Sequence, residues 1–358
     1  MTRSSRRHPD GAALVTSALA GDRQATARLL TLVENGHPQG HIALAALYPR
    51  AGQAHVVGFT GSTGAGKSTL VSEVAREFRS RGERVAIIAV DPTSPYSGGA
   101  LLGDRLRMYD LVSDPGIFIR SMASRGHPGG MARATRDVIT VLDALGVPVI
   151  LVETVGAGQA QVEVARVAHT VVLVEAPGMG DDVQALKAGL MEIADIVIVN
   201  KADRPEARQT LQAIRSARLQ GRFTEHERLS NAHPAADTTA PGWLVPILET
   251  SALQHTGIAG LVDAALAHRE YLVSTTLWES RRAEQAKADV EAWLEQELRA
   301  LAYERLGEAR LTAAIDNVLR RECDPAAAAQ TLMHDLIAIL SGAERPGSEQ
   351  EEALREDA

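Results

Sequence analysis

The amino-acid sequence predicts an α/β fold, a mostly parallel sheet covered by helices on both faces, with helical extensions at either end. Two observations predict it. Short apolar runs rich in β-branched residues fall at 55–60, 85–90, 147–152, 170–174, 196–199 and 244–248, and stretches of helical spacing separate them. Near-continuous apolar strands alternating with helices mark a parallel sheet buried on both faces. The first run is also followed at once by a glycine-rich turn and a helical pattern from Leu70 to about Ser80. Ligand-binding groups of such a sheet collect at the carboxyl ends of its strands.

The bulk properties narrow the function classes. The 358 residues are 45% hydrophobic and 23% charged, as in an ordinary globular protein. Only 3% are aromatic, so Ala, Val, Leu and Ile must build the core. A net charge of -8 argues against bulk nucleic-acid binding. Cys323 is the only cysteine, which excludes a disulfide framework and a multi-cysteine metal site. No run of apolar residues is long enough to span a bilayer. Residues 1–10 are basic and lack the apolar stretch of a secretion signal; they read as a frayed terminus or, alternatively, a short organelle-targeting segment, and the expected location is cytoplasmic.

In chain order, residues 12–48 carry helical spacing, with Leu14 and Leu19 before Gly21-Asp22 and Leu29, Leu30, Leu32 and Val33 after it. Two or three short helices are expected there, with Asp22 as an N-cap. The segments divide into an N-terminal helical extension (1–50), a nucleotide-binding domain (51–272), a C-terminal helical arm (273–341) and a disordered acidic tail (342–358).

The organising motif is Gly61-Ser62-Thr63-Gly64-Ala65-Gly66-Lys67-Ser68-Thr69. Its glycines let successive backbone N–H groups converge on an anion, and the helix behind adds its N-terminal partial charge. Lys67 is placed to reach the β and γ phosphates, and the Ser68 hydroxyl to ligate Mg²⁺. A nucleoside triphosphate is the expected ligand.

Further strand ends carry chemistry. The second run ends in Asp91-Pro92-Thr93-Ser94, followed by a glycine-rich segment containing Asp104. Asp91 and Asp104 suit Mg²⁺ directly or through water; Asp91 alternatively orients the attacking water, and either acid is also a fair helix cap. The run at 147–152 ends in Glu153-Thr154-Val155-Gly156. A carboxylate at the end of a buried strand is costly unless it faces a cation or bonded water. Glu153 is therefore the candidate second carboxylate near Mg²⁺, and Gly156 lets a backbone N–H approach the γ-phosphate. After the run at 170–174, Pro177-Gly178-Met179-Gly180-Asp181-Asp182 is either a moving element or a plain cap centred on Asp182.

The run at 196–199 ends in Asn200-Lys201-Ala202-Asp203. The Asp203 carboxylate matches the N1–H and N2–H₂ donors of guanine, and adenine would leave it unpaired, at a cost of ~1–3 kcal/mol or more. Lys201 would lie along the base. Ser251, Ala252 and Leu253, after the last strand, offer backbone N–H groups to guanine O6. The polar stretch 215–242 reads as a helix and a long loop. Beyond 276 three apolar stripes follow, at Val290–Leu301 spacing, at Leu311, Ile315, Val318 and Leu319, and at Leu332, Met333, Leu336, Ile337 and Leu340.

Taken together, these residues resemble the MeaB/ArgK/MMAA family of P-loop GTPases, guardians of adenosylcobalamin-dependent acyl-CoA mutases. The resemblance rests on 61–69, Asp91-Pro92-Thr93-Ser94 with 98–107, 150–156 with Gly158-Gln159, 177–187 and 200–203, and it covers most of 12–300. It implies a GTP-hydrolysing metallochaperone that gates adenosylcobalamin delivery to a methylmalonyl-CoA mutase-type enzyme and protects it. It implies GTP or GDP with Mg²⁺ as cofactors, a homodimer built through the C-terminal arm, and no nucleic-acid or membrane partner. Ser68, Asp91, Asp104 and Glu153 then surround Mg²⁺. The loop 177–187 resembles the family's third switch, which adds Lys187 to Lys67, Asp91 and Glu153 as catalytic candidates and gives Asp182 a regulatory part. The alternative reading is a GTP- or ATP-dependent kinase of a small molecule such as an amino acid, or a transport-associated ATPase. A nickel-enzyme maturation GTPase would need His- or Cys-rich tracts, which this sequence lacks.

Overall fold

The computed structural model describes residues 10–92, 109–124, 130–154, 163–178, 189–219 and 242–342. Seven strands among them form one sheet: β1 (His55–Gly61), β2 (Val85–Pro92), β3 (Ile117–Ser124), β4 (Val149–Thr154), β5 (Thr170–Glu175), β6 (Ile196–Val199) and β7 (Ile247–Glu249). Their order is β3-β2-β4-β1-β5-β6-β7, and every pairing is parallel. β1 therefore lies between β4 and β5, and the segment leaving its carboxyl end is flanked by the ends of both.

The α/β architecture expected from the alternating runs is present, with two adjustments. β3 went unread in the sequence. It is the edge strand, its central residues are only half-buried, and Arg120 interrupts its apolar run. The last strand starts at Ile247 and not at Leu244, which is 67% exposed. Pro246 ahead of it has no N–H for a ladder and contributes only its carbonyl, which accepts from Val197 N–H at 2.9 Å.

Alternation along the strands sorts side chains between the two faces. Val57 and Phe59 of β1, with Ile87, Leu151, Val172 and Ile198, pack against helices α4 (Lys67–Ser80) and α8 (Ile258–Ser274). On the other face, Val56, Ile88, Ile150 and Val152 meet α6 (Gly130–Ala144) and the three N-terminal helices, α1 (Gly11–Leu19), α2 (Arg23–Glu34) and α3 (Pro38–Leu47). α2 is capped as expected, the Asp22 carboxylate accepting from Gln24 and Ala25 N–H at 2.8 and 3.1 Å. The remaining helices of this region are the one-turn α5 (Tyr109–Val112) and α7 (Ala207–Leu219). The Asp143 carboxylate on α6 accepts from Gly52, Gln53 and Ala54 N–H groups at 2.5, 3.1 and 3.0 Å, fixing the approach to β1.

A polar cluster is buried at the amino ends of the strands, opposite the glycine loop. His55 Nε2 and Thr170 Oγ1 lie 2.7 Å apart, and Thr170 Oγ1 is 2.9 Å from His268 Nδ1. His268 Nε2 and the Arg281 guanidinium both contact Asp195, at 3.1 and 3.0 Å. Val56 N–H donates to His169 Nδ1 at 3.1 Å. Burial holds His55 well below the ordinary histidine range and His169 down to about 3, with neighbouring cationic side chains pushing the same way.

The chain divides into two compact units, Met1–Gln285 and Ala286–Ala358. The last helices are α9 (Leu277–Leu319), which Gly307 interrupts with φ 74° and ψ 161°, and α10 (Pro325–Leu340), capped by Asp324. In the second unit Leu306, Ala328 and Leu336 are buried, while Val290, Leu294, Leu298, Ile315, Leu319, Met333, Ile337 and Leu340 are exposed. No helix among the described residues is long and apolar enough to cross a membrane.

Candidate functional site

The glycine loop leaves β1 with its backbone pressed against β5. Gly61 has φ +131°, and a Cβ there would sit 2.1 Å from the Val174 carbonyl oxygen, so only glycine fits. Gly66 (φ +88°) is the residue before α4, and a Cβ on it would meet Asn200 Nδ2 at 2.6 Å. The two glycines are thus fixed by neighbouring strands and not by the loop alone.

Lys67 begins α4 and is 6% exposed. Its ammonium donates to the Gly61 and Ser62 carbonyls at 2.9 and 3.0 Å, which stretches it across the loop. An ammonium has three donors, so one is left for an anion in the loop. Burial lowers its pKa, and the Glu153 and Glu175 carboxylates oppose that shift. Beside it, Ser68 Oγ donates to Glu153 Oε1 at 2.6 Å, bringing together the two groups expected to be near each other on sequence grounds. Glu153 stands on β4 directly opposite Phe59 of β1 and is 1% exposed. A hydroxyl and a buried carboxylate in contact are a hard-oxygen pair of the kind Mg²⁺ takes.

The residues at the end of β6 brace the same loop. Asn200 Nδ2 donates to the Ala65 carbonyl at 2.8 Å, and Lys201 Nζ to the Gly64 carbonyl at 2.7 Å. Asn200 Oδ1 accepts from Thr250 Oγ1 at 3.2 Å and from Ala252 N–H at 3.3 Å, joining the segment after β7. Ser251 Oγ donates to Asp203 Oδ1 at 2.5 Å, and this bond is the leading cause that lowers the Asp203 pKa. Asp203 is exposed and ionised, ready to accept from a donor pair. Ser251 N–H donates to Thr256 O at 3.1 Å, which closes the turn around exposed Leu253. His255 Nδ1 is 2.6 Å from Glu73 on α4, a second tie between this turn and the glycine loop's helix.

Residues 61–69, Glu153, 200–203 and 251–253 therefore meet at the carboxyl ends of the strands. Thr63, Gly64 and Thr69 belong to the same loop-and-helix segment. Asp104, Gly156, Asp182 and Lys187 lie outside the described residues, as does the loop 220–241; the backbone of Asp91 is the next-to-last of β2, and its side chain lies outside what is described. Glu175 was missed. It ends β5, is 2% exposed, and its Oε2 accepts from Ser62 Oγ at 3.3 Å. The signal that singled out Glu153, an acid closing a buried apolar run, applies equally to Thr170-Val171-Val172-Leu173-Val174-Glu175.

A parallel sheet with a glycine loop and lysine at its central strand, and an Asn-Lys-x-Asp motif two strands away, defines a P-loop protein that binds guanine nucleotide. Its sequence matches the model of the Methylmalonyl Co-A mutase-associated GTPase MeaB family over residues 26–306. The chain belongs to that family and is a GTPase. A Pyrococcus abyssi relative named as a GTPase is 42% identical over 324 residues, 90% of this chain and 96% of its own. A Mycobacterium bovis relative, also named as a GTPase, is 38% identical over 89% of this chain and 93% of its own. A Caenorhabditis elegans protein named as a mitochondrial methylmalonic aciduria type A homolog is 27% identical over 92% of this chain and 84% of its own. The crystal structure of an LAO/AO transport system kinase shares the fold, with a TM-score of 0.62 at 24% identity, covering 93% of this chain and 99% of that one.

Proposed function

We propose that this protein is a GTP-hydrolysing metallochaperone of the cytoplasm, which gates adenosylcobalamin delivery to a cobalamin-dependent acyl-CoA mutase of the methylmalonyl-CoA mutase type and protects that enzyme. The observation that carries the mutase part is the family match over 26–306, whose description names a mutase-associated GTPase. In this reading the N–H groups of residues 61–69 hold the phosphates, with Lys67 spanning β and γ. Asp203 takes the guanine N1–H and N2–H₂, Lys201 and Asn200 flank the base, and the turn 251–253 faces O6. Gly156 approaches the γ-phosphate.

Ser68 and Glu153 hold Mg²⁺, and Asp91 and Asp104 complete its surroundings; their hydroxyl and carboxylate oxygens fit that ion. When bound, the ion would supply charge neutralisation to the phosphates. Lys67, clamped by two carbonyls, adds a positive charge that needs no reorganisation as negative charge shifts towards the leaving oxygen. Asp91 alternatively orients the attacking water, and Lys187 and Asp182 contribute from the switch loop 177–187, to catalysis and regulation. Hydrolysis is slow until the partner orders these loops, because positioning and charge dominate phosphoryl transfer.

The C-terminal arm, 273–341, makes a homodimer. The exposed Val290, Leu294, Leu298, Ile315, Met333, Ile337 and Leu340 support this, since apolar rows of that length on helices call for a partner. The test is GTP turnover with and without purified methylmalonyl-CoA mutase from the same organism, alongside the mass in solution. Faster phosphate release with the mutase and a dimer mass are expected. Unchanged turnover across added mutases, or transfer of the γ-phosphate to an amino acid, would remove the chaperone reading.

A further inference from the structure

The order of the sheet puts a carboxylate on each side of the glycine loop: Glu153 at the end of β4 and Glu175 at the end of β5. The two are not equivalent. Glu153 meets the Ser68 hydroxyl, so a metal ion bound there faces its charge. Glu175 flanks β1 on the other side and contacts the second residue of the loop, Ser62, and its charge acts on Lys67 together with that of Glu153.

Its position is rigid. The Glu175 carbonyl accepts from Asn200 N–H at 2.7 Å, and the residue pairs with Val199 of β6. Val174 before it is opposite Gly61, where the loop backbone presses closest. The side chain is 2% exposed, so neither solvent nor salt screens it effectively. A buried carboxylate is expensive to keep, and a glutamine would fill the same space and keep a bond to Ser62. What glutamine would not keep is the negative charge behind a loop built to bind anions.

We propose that Glu175 is an electrostatic brake on nucleotide affinity, a fixed negative charge that penalises the triphosphate more than the diphosphate. The inference rests on the guanine-nucleotide reading of the same site. The loop N–H groups and Lys67 attract phosphate and a carboxylate at fixed distance repels it, and each contribution grows with the charge brought in. GTP brings one more negative charge than GDP, so it meets the larger penalty. The consequence is a triphosphate held less tightly than the loop geometry alone would allow, and released more readily.

The test is calorimetric titration of a non-hydrolysable GTP analogue and of GDP, each with Mg²⁺, into the full chain and three variants. Glu175→Gln keeps shape and removes charge; Glu175→Leu removes both and serves if the first variant does not fold. Glu175→Asp keeps charge and shortens the reach to Ser62. Loss of charge is expected to tighten the GTP analogue by ~5-fold or more and GDP by less, as expected for one weakly screened unit charge. Glu175→Asp should stay within ~2-fold of the wild type. Equal gains for both nucleotides, or unchanged or weaker analogue binding in Glu175→Gln and Glu175→Leu, would overturn the brake and leave the nucleotide reading standing. Absence of binding by the wild-type chain would overturn both.

Discussion

Asn200 Nδ2 donates to the Ala65 carbonyl at 2.8 Å, so the residue opening the base-recognition motif also holds the top of the phosphate loop. Its Oδ1 receives Thr250 Oγ1 and Ala252 N–H, which makes one buried amide the junction of three loops. Removing it leaves the Thr250 hydroxyl and the Ala65 carbonyl without this partner, at a cost of ~1–3 kcal/mol. Asn200→Ala is therefore expected to weaken GDP by about 10- to 100-fold and also to lower the thermal midpoint of the nucleotide-free protein. A titration with a fluorescent GDP analogue and a melting curve check both; weakened binding without any loss of stability would contradict the junction role.

In the proposed reading, base choice follows from Asp203, whose pKa is lowered chiefly by the Ser251 hydroxyl. Asp203→Asn replaces an acceptor pair with a donor and an acceptor, which suits xanthine and not guanine. The variant should prefer xanthosine triphosphate to GTP by at least ~10-fold, the scale of one mismatched buried bond. Competition binding with the two triphosphates reads this directly, and unchanged preference for GTP would remove the base assignment.

The contact between Ser68 and Glu153 bears on the proposed Mg²⁺ site. Glu153→Gln should lower GTP turnover by ~10²-fold, the scale of losing one preorganised electrostatic group. GDP affinity measured in the presence of EDTA should stay within a few-fold of wild type, because the loop N–H groups and Lys67 are untouched. Turnover that survives the substitution would place the metal elsewhere.

Acid sensitivity is expected from His55 and His169. Both have folded pKa values below the unfolded 6.5, His169 at about 3. The unfolded chain therefore takes up protons that the native one refuses as pH falls below 6.5. Stability is highest above that point and drops by about 1.4 kcal/mol per pH unit for each group until its folded pKa is reached. Denaturant midpoints measured between pH 7.5 and 5 should fall, and His169→Gln should flatten the slope. An unchanged slope would show that other groups govern it.

The strands facing helices on both sides were legible because burial leaves a continuous apolar run, as in Ile196-Val197-Ile198-Val199. β3 was not, since Arg120 sits in its middle and is compensated only in three dimensions, by Glu34 and Thr31 of α2. The phosphate loop and the base motif were legible as residue types at fixed spacing. Their mutual bracing was not, because Asn200 and Ala65 are 135 residues apart. Glu175 carried the same mark as Glu153, including a glycine three residues on (Gly178, as Gly156 follows Glu153), but the acids Asp181 and Asp182 of the loop beyond it drew the reading there.

The short helices ahead of β1 have a practical consequence. Leu29, Leu30 and Leu47 sit in the same apolar cluster as Ile88, Ile150 and Val141, and Asp143 grips the backbone at 52–54. Cutting the gene at residue 51 to obtain a minimal catalytic fragment would strip the oily flank of the enzyme bare and invite clumping. Residues 10–50 are masonry of the catalytic body, and expression vectors should keep them.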